Sequence, residues 1–320
     1  MNLEVLRIED LRVYYDTISG VVKAVDGVSL SMRKGEILGL AGESGSGKTT
    51  MARAIMRLLP SNGRIISGRI LLNGIDVVGM SEEEIREIRW KKVSMVFQGA
   101  MNALNPVLRV GDQIAEVLIE KGGYSKEEAW ARVEELFRVV GIDPARARDY
   151  PHEFSGGMRQ RAIIAMAIAL NPDLVIADEP VTALDVVVQS KILRLLEDLR
   201  DKLGISVLLI THDLSVIAEA CDRTAIMYAG KLVEYGTTEE VFEEPLHPYT
   251  KALISAFPSI TGEKRSFEPI RGDPPNMLNV PPGCPFHPRC PKAFESCDKE
   301  VPELIDAGNG HLVACHLYGR

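Results

Sequence analysis

The sequence predicts an α/β fold that is built around a phosphate-binding loop, and three observations lead to this prediction. A glycine-rich loop at residues 42–49 lies between a short apolar run and a helical pattern. Strands and helices alternate over residues 155–230, which favours a sheet whose central strands are parallel and covered on both faces. An apolar run at residues 174–177 ends in two carboxylates.

Composition limits the classes of protein that fit. The chain has 320 residues, a net charge of −8 and 46% hydrophobic residues, which suits one large globular domain and a small one. No basic cluster indicates a nucleic-acid partner. The longest apolar run, residues 162–170, is too short to cross a bilayer, and the first residues lack the pattern of a signal peptide. We therefore expect a cytosolic protein that reaches a membrane only through partners.

Periodicity and capping predict the individual elements in chain order. Alternation predicts a half-exposed strand at 3–15, and apolar runs predict strands at 36–41, 93–97, 174–177, 206–210 and 225–229. Helices are predicted at 50–59, 155–170 and 187–203. Two capping boxes are predicted at Ser81–Glu84 and Ser125–Glu128. The second opens a helix that ends near Gly141 and has an apolar face of Ala129, Val133, Leu136, Phe137 and Val140.

The glycine-rich loop matches a phosphate-binding template: Gly42, four residues, Gly47, then Lys48 and Thr49. Glycines let such a loop curl so that backbone N–H groups point at phosphate oxygens, and the following helix adds its positive end. Lys48 would reach the β- and γ-phosphates, and the Thr49 hydroxyl would ligate Mg²⁺. A flexible glycine turn is the alternative, but the flanking strand and helix favour phosphate binding.

Two further features carry chemistry beside this loop. Asp178 and Glu179 end an apolar strand, where an acid that orients Mg²⁺ and an acid that activates water are expected; solvated acids are the alternative. Ser155, Gly156 and Gly157 form a second glycine turn that opens a helix and therefore a second anion site, or else a simple helical hairpin turn. Two such helix starts make sense if the second completes a site on a neighbouring subunit.

Taken in order, these motifs resemble those of the ATP-binding cassette (ABC) transporter ATPases over roughly residues 3–245. The matching positions are Walker A at 42–49, Gln98 of the Q-loop, the signature Ser155-Gly156-Gly157, Walker B ending at Asp178 with Glu179 next, the D-loop Ala183-Leu184-Asp185 and the switch histidine His212. The resemblance implies a P-loop NTPase core with an antiparallel β subdomain and a helical subdomain at about 99–153. It places the cassette at 1–245 and a small proline-rich, cysteine-bearing extension at 246–320.

The resemblance also implies ligands and roles. Tyr15 would stack on the adenine of ATP, Thr49 and Gln98 would ligate Mg²⁺, and Asp178 would order that ion through water. Glu179 would be the general base, and His212 would contact the γ-phosphate. Lys48 and Gln98 would be the other catalytic residues. The nucleotide would be bound by Gly42, Ser44, Gly45, Ser46, Gly47, Lys48, Thr49 and Thr50, and from the other side by Ser155, Gly156, Gly157 and Asp185. Taken alone, Tyr15 and His212 would be ordinary packed side chains.

Further stretches resemble the dipeptide/oligopeptide importer branch, and its D-type member in particular. These stretches are 150–161 with Met158, 103–106, 177–185 and His247-Pro248-Tyr249. The chain departs from the branch at Gly99-Ala100 after the Q-loop glutamine and at Val181, beside the chemistry rather than in it. The resemblance implies an ATPase that powers peptide import from the cytoplasmic face of the membrane.

Partners are implied in the same way: two transmembrane permease subunits, an extracytoplasmic binding protein that acts indirectly, and a second, homologous ABC ATPase. The ATPase pair would be a heterodimer, with a homodimer possible in isolation. Nickel or oligosaccharides remain alternative cargoes. The rival functions are a soluble ABC ATPase and a redox-sensing regulatory module.

The C-terminal region concentrates prolines and cysteines. Twelve of the 18 prolines lie at 245–302, and Cys284, Cys290, Cys297 and Cys315 are separated by five, six and seventeen residues. In a reducing compartment such a cluster favours metal over disulfides. Spacing alone leaves zinc, with help from His287, His311 or His316, level with a 4Fe–4S cluster, and buried thiols are the third possibility. Resemblance to the importer branch favours the 4Fe–4S cluster in a structural role, and Cys221 is predicted to be an ordinary buried thiol.

Overall fold

A computed structural model describes residues 4–99, 103–256, 270 and 272–319 of the chain. Two compact units are present, and each is assembled from segments that are distant in sequence. Unit 1 contains the described parts of 1–6, 32–37 and 72–210, and unit 2 contains those of 7–31, 38–71 and 211–320.

The strands are β1 (Glu4–Thr17), β2 (Gly20–Arg33), β3 (Ile37–Ala41), β4 (Gly63–Leu72), β5 (Ile75–Asp76), β6 (Val93–Val96), β7 (Leu174–Asp178), β8 (Ser206–Ile210), β9 (Arg223–Tyr228), β10 (Lys231–Thr237), β11 (Ile305–Asp306) and β12 (Leu312–Val313). The helices are α1 (Lys48–Ile55), α2 (Glu82–Ile88), α3 (Val110–Gly122), α4 (Lys126–Val139), α5 (Gly156–Ala167), α6 (Val186–Leu203), α7 (Leu214–Ala220), α8 (Thr238–Glu243) and α9 (Pro248–Ser255). Short 3₁₀ segments lie at Pro144–Arg148, Pro151–Glu153 and His287–Arg289.

Unit 1 contains three parallel strands in the order β6, β7, β8. Every residue of these strands is buried, which explains why their sequences are continuous apolar runs rather than alternating patterns. The predicted parallel, covered strands are therefore confirmed here. Strand β6 ends at Val96, one residue earlier than predicted, and Phe97 is exposed.

The helical part of unit 1 confirms the predicted apolar face of α4. Ala129, Val133, Leu136, Phe137 and Val140 are all buried. The capping boxes at Ser81 and Ser125 are present with both reciprocal hydrogen bonds. The Phe137 ring meets Phe154 edge-on at 6.4 Å between centroids. This contact connects α4 to the residue that precedes the glycine turn opening α5.

Unit 2 combines β2, β1 and β4, in that order, with a second set of strands. In the second set β3 pairs with β9 in parallel, and β9, β10, β12 and β11 continue as antiparallel neighbours. Strands β2, β4 and β10 and helices α3 and α7–α9 were not predicted from sequence. Strand β4 shows why: most of its residues are partly or fully exposed, so it lacks a clear apolar pattern.

The C-terminal region packs into unit 2 through an aromatic cluster. Tyr228 at the end of β9, Tyr249 of α9 and Phe286 are buried, with ring centroids 4.6–5.3 Å apart. Cys284 belongs to the same apolar core, and Cys221 is half-buried against it, so Cys221 is less buried than predicted. Within the described ranges, no helix has the length and apolar character needed to cross a membrane.

The two faces of α4 give a matched test of the helical packing. Phe137 is fully buried, whereas Val139 is 38% exposed. Phe137→Ala should lower the free energy of unfolding by about 3–5 kcal/mol because it leaves a cavity against Phe154. Val139→Ala on the same helix should change it by less than about 1 kcal/mol. Urea denaturation of the two variants checks this, and equal effects would contradict the buried face described here.

Candidate active site

The phosphate loop in unit 2 runs from the end of β3 into α1 along a path that only glycine tolerates at two points. Gly42 has φ of 144°, and a Cβ there would lie 2.1 Å from the Met227 carbonyl oxygen. Gly47 has φ of 106°, and its Cβ would lie 2.2 Å from the Ala24 carbonyl oxygen. Both contacts are with backbone, which cannot move aside as a side chain can. The glycines of the motif therefore permit close packing of backbone as well as a turn.

Lys48 folds back over this loop. Its Nζ donates hydrogen bonds to the carbonyl oxygens of Gly42 (2.6 Å) and Glu43 (2.9 Å) and to Ser46 Oγ (3.2 Å). Lys48 is buried, and these oxygens compensate its charge. Ser44 and Gly45 are exposed at the tip of the loop, and Ser46 is buried beneath it. The ammonium group thus lies inside the loop that is predicted to receive phosphate.

Tyr15 and His212 are the other predicted nucleotide contacts of unit 2. The Tyr15 hydroxyl donates to Thr50 Oγ1 at 3.2 Å, and its ring lies against Gly63, where a Cβ would come within 2.6 Å. Tyr15 therefore lies beside the first turn of α1 with its ring half-buried. His212 is exposed, two residues after the end of β8.

The predicted catalytic acids of unit 1 lie at the end of β7. Asp178 is the last residue of that strand and is buried. Glu179 follows with φ of 50°, and its N–H donates to the Ile210 carbonyl at 2.8 Å. A non-glycine residue in this region is strained, and such strain concentrates at functional sites. The strand therefore ends at Asp178, and the backbone leaves the extended conformation at Glu179.

The structure brings Gln98 and Glu179 together, although they are 81 residues apart. Gln98 Nε2 donates to Glu179 Oε2 at 3.1 Å, and Thr182 Oγ1 donates to the same oxygen at 2.9 Å. Two donors on one oxygen fix the orientation of the carboxylate. Thr182 was not singled out from sequence, because a threonine within a motif gives no signal of its own.

The glycine turn at Ser155 begins α5 on an exposed surface. Ser155 Oγ accepts the Met158 N–H at 3.3 Å, and Ser155 and Gly156 are exposed. Gly157 packs on α6, since a Cβ there would lie 2.5 Å from Val188 Cγ1. Asp185 caps α6 by accepting the Val188 N–H at 3.0 Å. Each cap satisfies one N–H of its first turn, and the exposed start of α5 leaves its remaining first-turn N–H groups available to an anion.

Exposed apolar side chains lie next to this turn. Val186 is 80% exposed and Val187 is 64% exposed, immediately after Asp185. These two valines give the surface beside the turn an apolar character.

The predicted site residues divide between the two units. Tyr15, Gly42, Ser44, Gly45, Ser46, Gly47, Lys48, Thr49, Thr50 and His212 belong to unit 2, and Gln98, Ser155, Gly156, Gly157, Asp178, Glu179 and Asp185 belong to unit 1. Of the departures from the importer pattern, Gly99 is exposed with φ of 69°, Val181 is buried, and Ala100 lies outside the described residues.

The four C-terminal cysteines line one cavity in unit 2. Cys284, Cys290, Cys297 and Cys315 share it with His247, His287 and His316. Burial raises the pKa of Cys284 to about 11 and raises the pKa values of Cys290 and Cys315. As it stands, the described part of the chain contains no group of three or more His, Cys, Asp or Glu side chains arranged to hold a metal ion.

His247 tests whether this cavity fits a sulfur-rich group. Burial lowers its pKa to about 4, so the ring is neutral at pH 7. Its Nδ1 accepts the Tyr249 N–H at 3.0 Å, which leaves the proton on Nε2. Nε2 is buried and has no hydrogen-bond partner in the described structure. A buried donor without a partner, on a ring that lines the cysteine cavity, fits an acceptor such as a thiolate or sulfide.

The histidines that were considered as zinc ligands each make a contact of their own. Nδ1 of His287 lies 2.9 Å from the Cys284 carbonyl oxygen, and Nε2 of His316 lies 2.8 Å from the Glu300 carbonyl oxygen. His311 instead contacts the buried Glu234 carboxylate at 2.8 Å. A histidine that binds a metal through one ring nitrogen commonly makes such a contact with the other, so these contacts do not decide between cysteine and histidine ligands.

Three residues at the phosphate loop, one of them in the loop itself, were not among the predicted site residues. Glu43 occupies a variable position of the loop, and it contacts Tyr249 and Arg289 of the C-terminal region. Tyr249 was noted only as part of the stretch that resembles the importer branch. Arg289, surrounded by prolines and cysteines, carried no signal, because its partner lies 246 residues away.

Comparisons with known proteins show the family of the chain. An ABC transporter family model matches residues 25–182, and the model of the oligopeptide/dipeptide transporter C-terminal region matches residues 233–297. The chain is 44% identical over 316 residues to the dipeptide transport ATP-binding protein DppD of Caldanaerobacter subterraneus subsp. tengcongensis, covering 98% of this chain and 97% of that protein. It is 46% identical to the oligopeptide transport ATP-binding protein OppD of Escherichia coli, covering 97% and 92%.

Solved structures give the same result for the fold. A dimeric post-hydrolysis structure of the ATP-binding cassette MJ0796 bound to ADP and Pi is similar with a TM-score of 0.65 and 30% identity. The match covers 73% of this chain and 98% of that one. About a quarter of this chain therefore has no counterpart in that cassette.

The two loop glycines Gly42 and Gly45 give a matched prediction. Gly42→Ala should weaken nucleotide binding by roughly tenfold or more, because the new Cβ meets the Met227 backbone and the loop must move. Gly45→Ala should have a smaller effect, since a Cβ there meets nothing within 4 Å, although its φ of 79° still strains alanine. Fluorescent-nucleotide titration of both variants checks this, and a larger effect at Gly45 would contradict the loop geometry.

Proposed function

We propose that this chain, which belongs to the ATP-binding proteins of ABC transporters in the dipeptide and oligopeptide branch, hydrolyses ATP to power peptide import through transmembrane permease subunits. One observation carries the proposal: a complete phosphate loop and an oligopeptide-transporter C-terminal region occur in the same chain. Relatives whose names specify dipeptide or oligopeptide transport match nearly the whole length. Nickel or oligosaccharides are the alternative cargoes.

In this proposal the phosphate loop binds the polyphosphate of ATP. Backbone N–H groups between Gly42 and Thr50 cradle it, and Lys48 exchanges its contacts with loop oxygens for phosphate oxygens. Tyr15, beside the first turn of α1, stacks on the adenine. His212 contacts the γ-phosphate.

Mg²⁺ would be held by the Thr49 hydroxyl and the Gln98 side-chain oxygen, with Asp178 ordering it through water. Hydroxyl, amide and carboxylate oxygens are the donors that this ion prefers, so the residues fit it. When bound, the ion neutralises charge on the phosphates.

Glu179 is proposed as the general base that takes a proton from the attacking water. Its carboxylate is oriented by Gln98 and Thr182, which both donate to Oε2. Gln98, the proposed ligand of Mg²⁺, thus also contacts the proposed base.

Assembly completes the site. The exposed Ser155-Gly156-Gly157 turn and Asp185 would bind ATP held by the loop of a second cassette, and Val186 and Val187 would be covered by that partner. A structure with a similar fold is dimeric. In this branch we expect the partner to be a homologous but different chain, with a homodimer in isolation.

The helical region at about 99–153 is proposed to dock a helix of a permease subunit. Val107 is 76% exposed and Leu108 is 41% exposed in this region, which supports an apolar contact there. The protein would then lie at the cytoplasmic face of the membrane, held by the permeases, with the extracytoplasmic binding protein acting indirectly. In this proposal the cassette comprises residues 1–245 and the extension comprises residues 246–320.

The cysteine cavity is proposed to hold a 4Fe–4S cluster bound by Cys284, Cys290, Cys297 and Cys315, with zinc as the alternative. Each thiolate of such a cluster binds a different iron atom, so the four sulfurs need not converge on one point as they would around one ion. The unpartnered Nε2–H of His247 supports a sulfur group in this cavity. The cluster would stabilise a region with little core of its own.

Glu179→Gln tests the function directly. The variant should lower ATP turnover by about a hundredfold or more and abolish peptide uptake, because the amide cannot accept the proton of water. Nucleotide binding should be retained, since the amide has nearly the shape of the carboxylate. ATP turnover and peptide uptake are measured with the permeases in proteoliposomes. If the wild-type complex takes up oligosaccharide or nickel in place of peptide, that cargo replaces peptide in the proposal.

Metal analysis of protein purified without oxygen tests the cluster. We expect about four irons per chain and a broad brown absorbance, both lost in Cys297→Ser. Cys221→Ser is the control and should keep them, because Cys221 does not line the cavity. One zinc and no colour would refute the cluster and leave the ATPase proposal intact.

A further inference from the structure

Glu43 of the phosphate loop is held by two side chains of the C-terminal region. The Glu43 N–H donates to the Tyr249 hydroxyl at 2.9 Å. The Glu43 carboxylate accepts two hydrogen bonds from Arg289, from Nη1 at 2.7 Å and from Nη2 at 3.1 Å. The side chains of Arg289 and Glu43 are only 7% and 23% exposed. A two-pronged, largely buried ion pair fixes both position and orientation, unlike a surface pair.

Arg289 is itself fixed by its surroundings. Its Nη1 also donates to the Tyr228 hydroxyl at 3.2 Å, and Nη2 donates to the Gly272 carbonyl at 3.1 Å. The guanidinium lies over the rings of Tyr228 and Phe286, 5.8 and 6.0 Å from their centroids. Burial alone would lower the pKa of Arg289, but the hydrogen bonds to Glu43 and Tyr228 raise it above its ordinary value. Arg289 is therefore a charged and preorganised group.

A carboxylate next to Gly42 adds negative charge to a loop that binds polyphosphate. Repulsion between the two would weaken binding unless a cation neutralised the carboxylate. Lys48 donates to the Glu43 carbonyl, but in the proposed function it turns to the phosphates. Tyr249 and Arg289 contact the N–H and the carboxylate of Glu43 instead, so they can keep the residue in place when Lys48 moves.

We propose that Arg289 and Tyr249 are positioning residues of the ATP site, which neutralise and immobilise Glu43 so that the phosphate loop binds ATP. The C-terminal region is then part of the nucleotide site in addition to any metal that it holds. The proposal rests on the loop binding ATP, as put forward above. A wild-type chain that binds no nucleotide would refute that function, whereas the comparison of variants below tests the positioning role.

Arg289→Gln in the full chain, purified without oxygen, is the first variant. Titration with a fluorescent ATP analogue should show about tenfold weaker binding than wild type, because Glu43 keeps its charge and loses its partner. Lys299→Gln is the matched control: it removes one positive charge from the same region, and Lys299 pairs with the exposed Glu295. The control should bind as wild type does.

The double variant Glu43→Gln/Arg289→Gln separates positioning from a general structural role. Removing the carboxylate should restore most of the affinity, to within about threefold of wild type, because the repulsion is gone. If Arg289 only held the C-terminal region together, a change in the loop could not rescue its loss. Iron content and far-UV circular dichroism of each variant report whether that region has kept its structure.

Tyr249→Phe gives an independent measurement. It keeps the ring that packs on Tyr228 and Phe286 and removes only the acceptor of the Glu43 N–H. We expect weaker nucleotide binding, by less than in Arg289→Gln. Wild-type affinity in Arg289→Gln would overturn the proposal, and so would a weak-binding Arg289→Gln that Glu43→Gln does not rescue.

Discussion

The close approach of backbone to backbone at Gly42 and Gly47 is the constraint on which the site depends. At both positions a Cβ would lie within 2.2 Å of a carbonyl oxygen of another strand in unit 2, so the loop can follow its path only with glycine. That path curls the loop around Lys48 and starts α1 at its end. The buried ammonium is then compensated by oxygens of the loop itself. The absence of a Cβ at these two glycines thus determines the geometry of the predicted phosphate site.

The charge of the phosphate loop is also balanced by a residue of the C-terminal region. The loop contains one cation, Lys48, and one carboxylate, Glu43, and the carboxylate is neutralised by Arg289 of the same unit. Arg289 precedes Cys290, which lines the cysteine cavity, and Tyr249 follows His247, which lines it too. Residues that contact the phosphate loop are therefore close in sequence to residues that line the cysteine cavity, and Tyr249, Cys284 and Cys290 pack in one apolar cluster.

The catalytic half shows the opposite design, in which function lies at exposed ends of elements. Glu179 is held by Gln98 and Thr182, whereas Ser155, Gly156 and Asp185 lie at exposed helix starts beside two exposed valines. The chain belongs to the ATP-binding proteins of ABC transporters, and a solved cassette of similar fold is dimeric. In the proposed function these exposed groups face a second cassette, which would explain why they are not covered within one chain.

The sequence by itself determined the buried strands β6–β8, the capping boxes, the apolar face of α4 and the order of the motifs, because these depend on neighbours a few residues apart. It left out β2, β4 and β10, whose patterns are weak, and it gave no sign of the contact between Glu43 and Arg289. Only the tertiary structure decided that contact, the meeting of Gln98 with Glu179 and the shared cavity of the four cysteines. The physical reason is that periodicity reports which face of an element is buried, whereas the identity of the distant residue that covers it is set by how the whole chain packs.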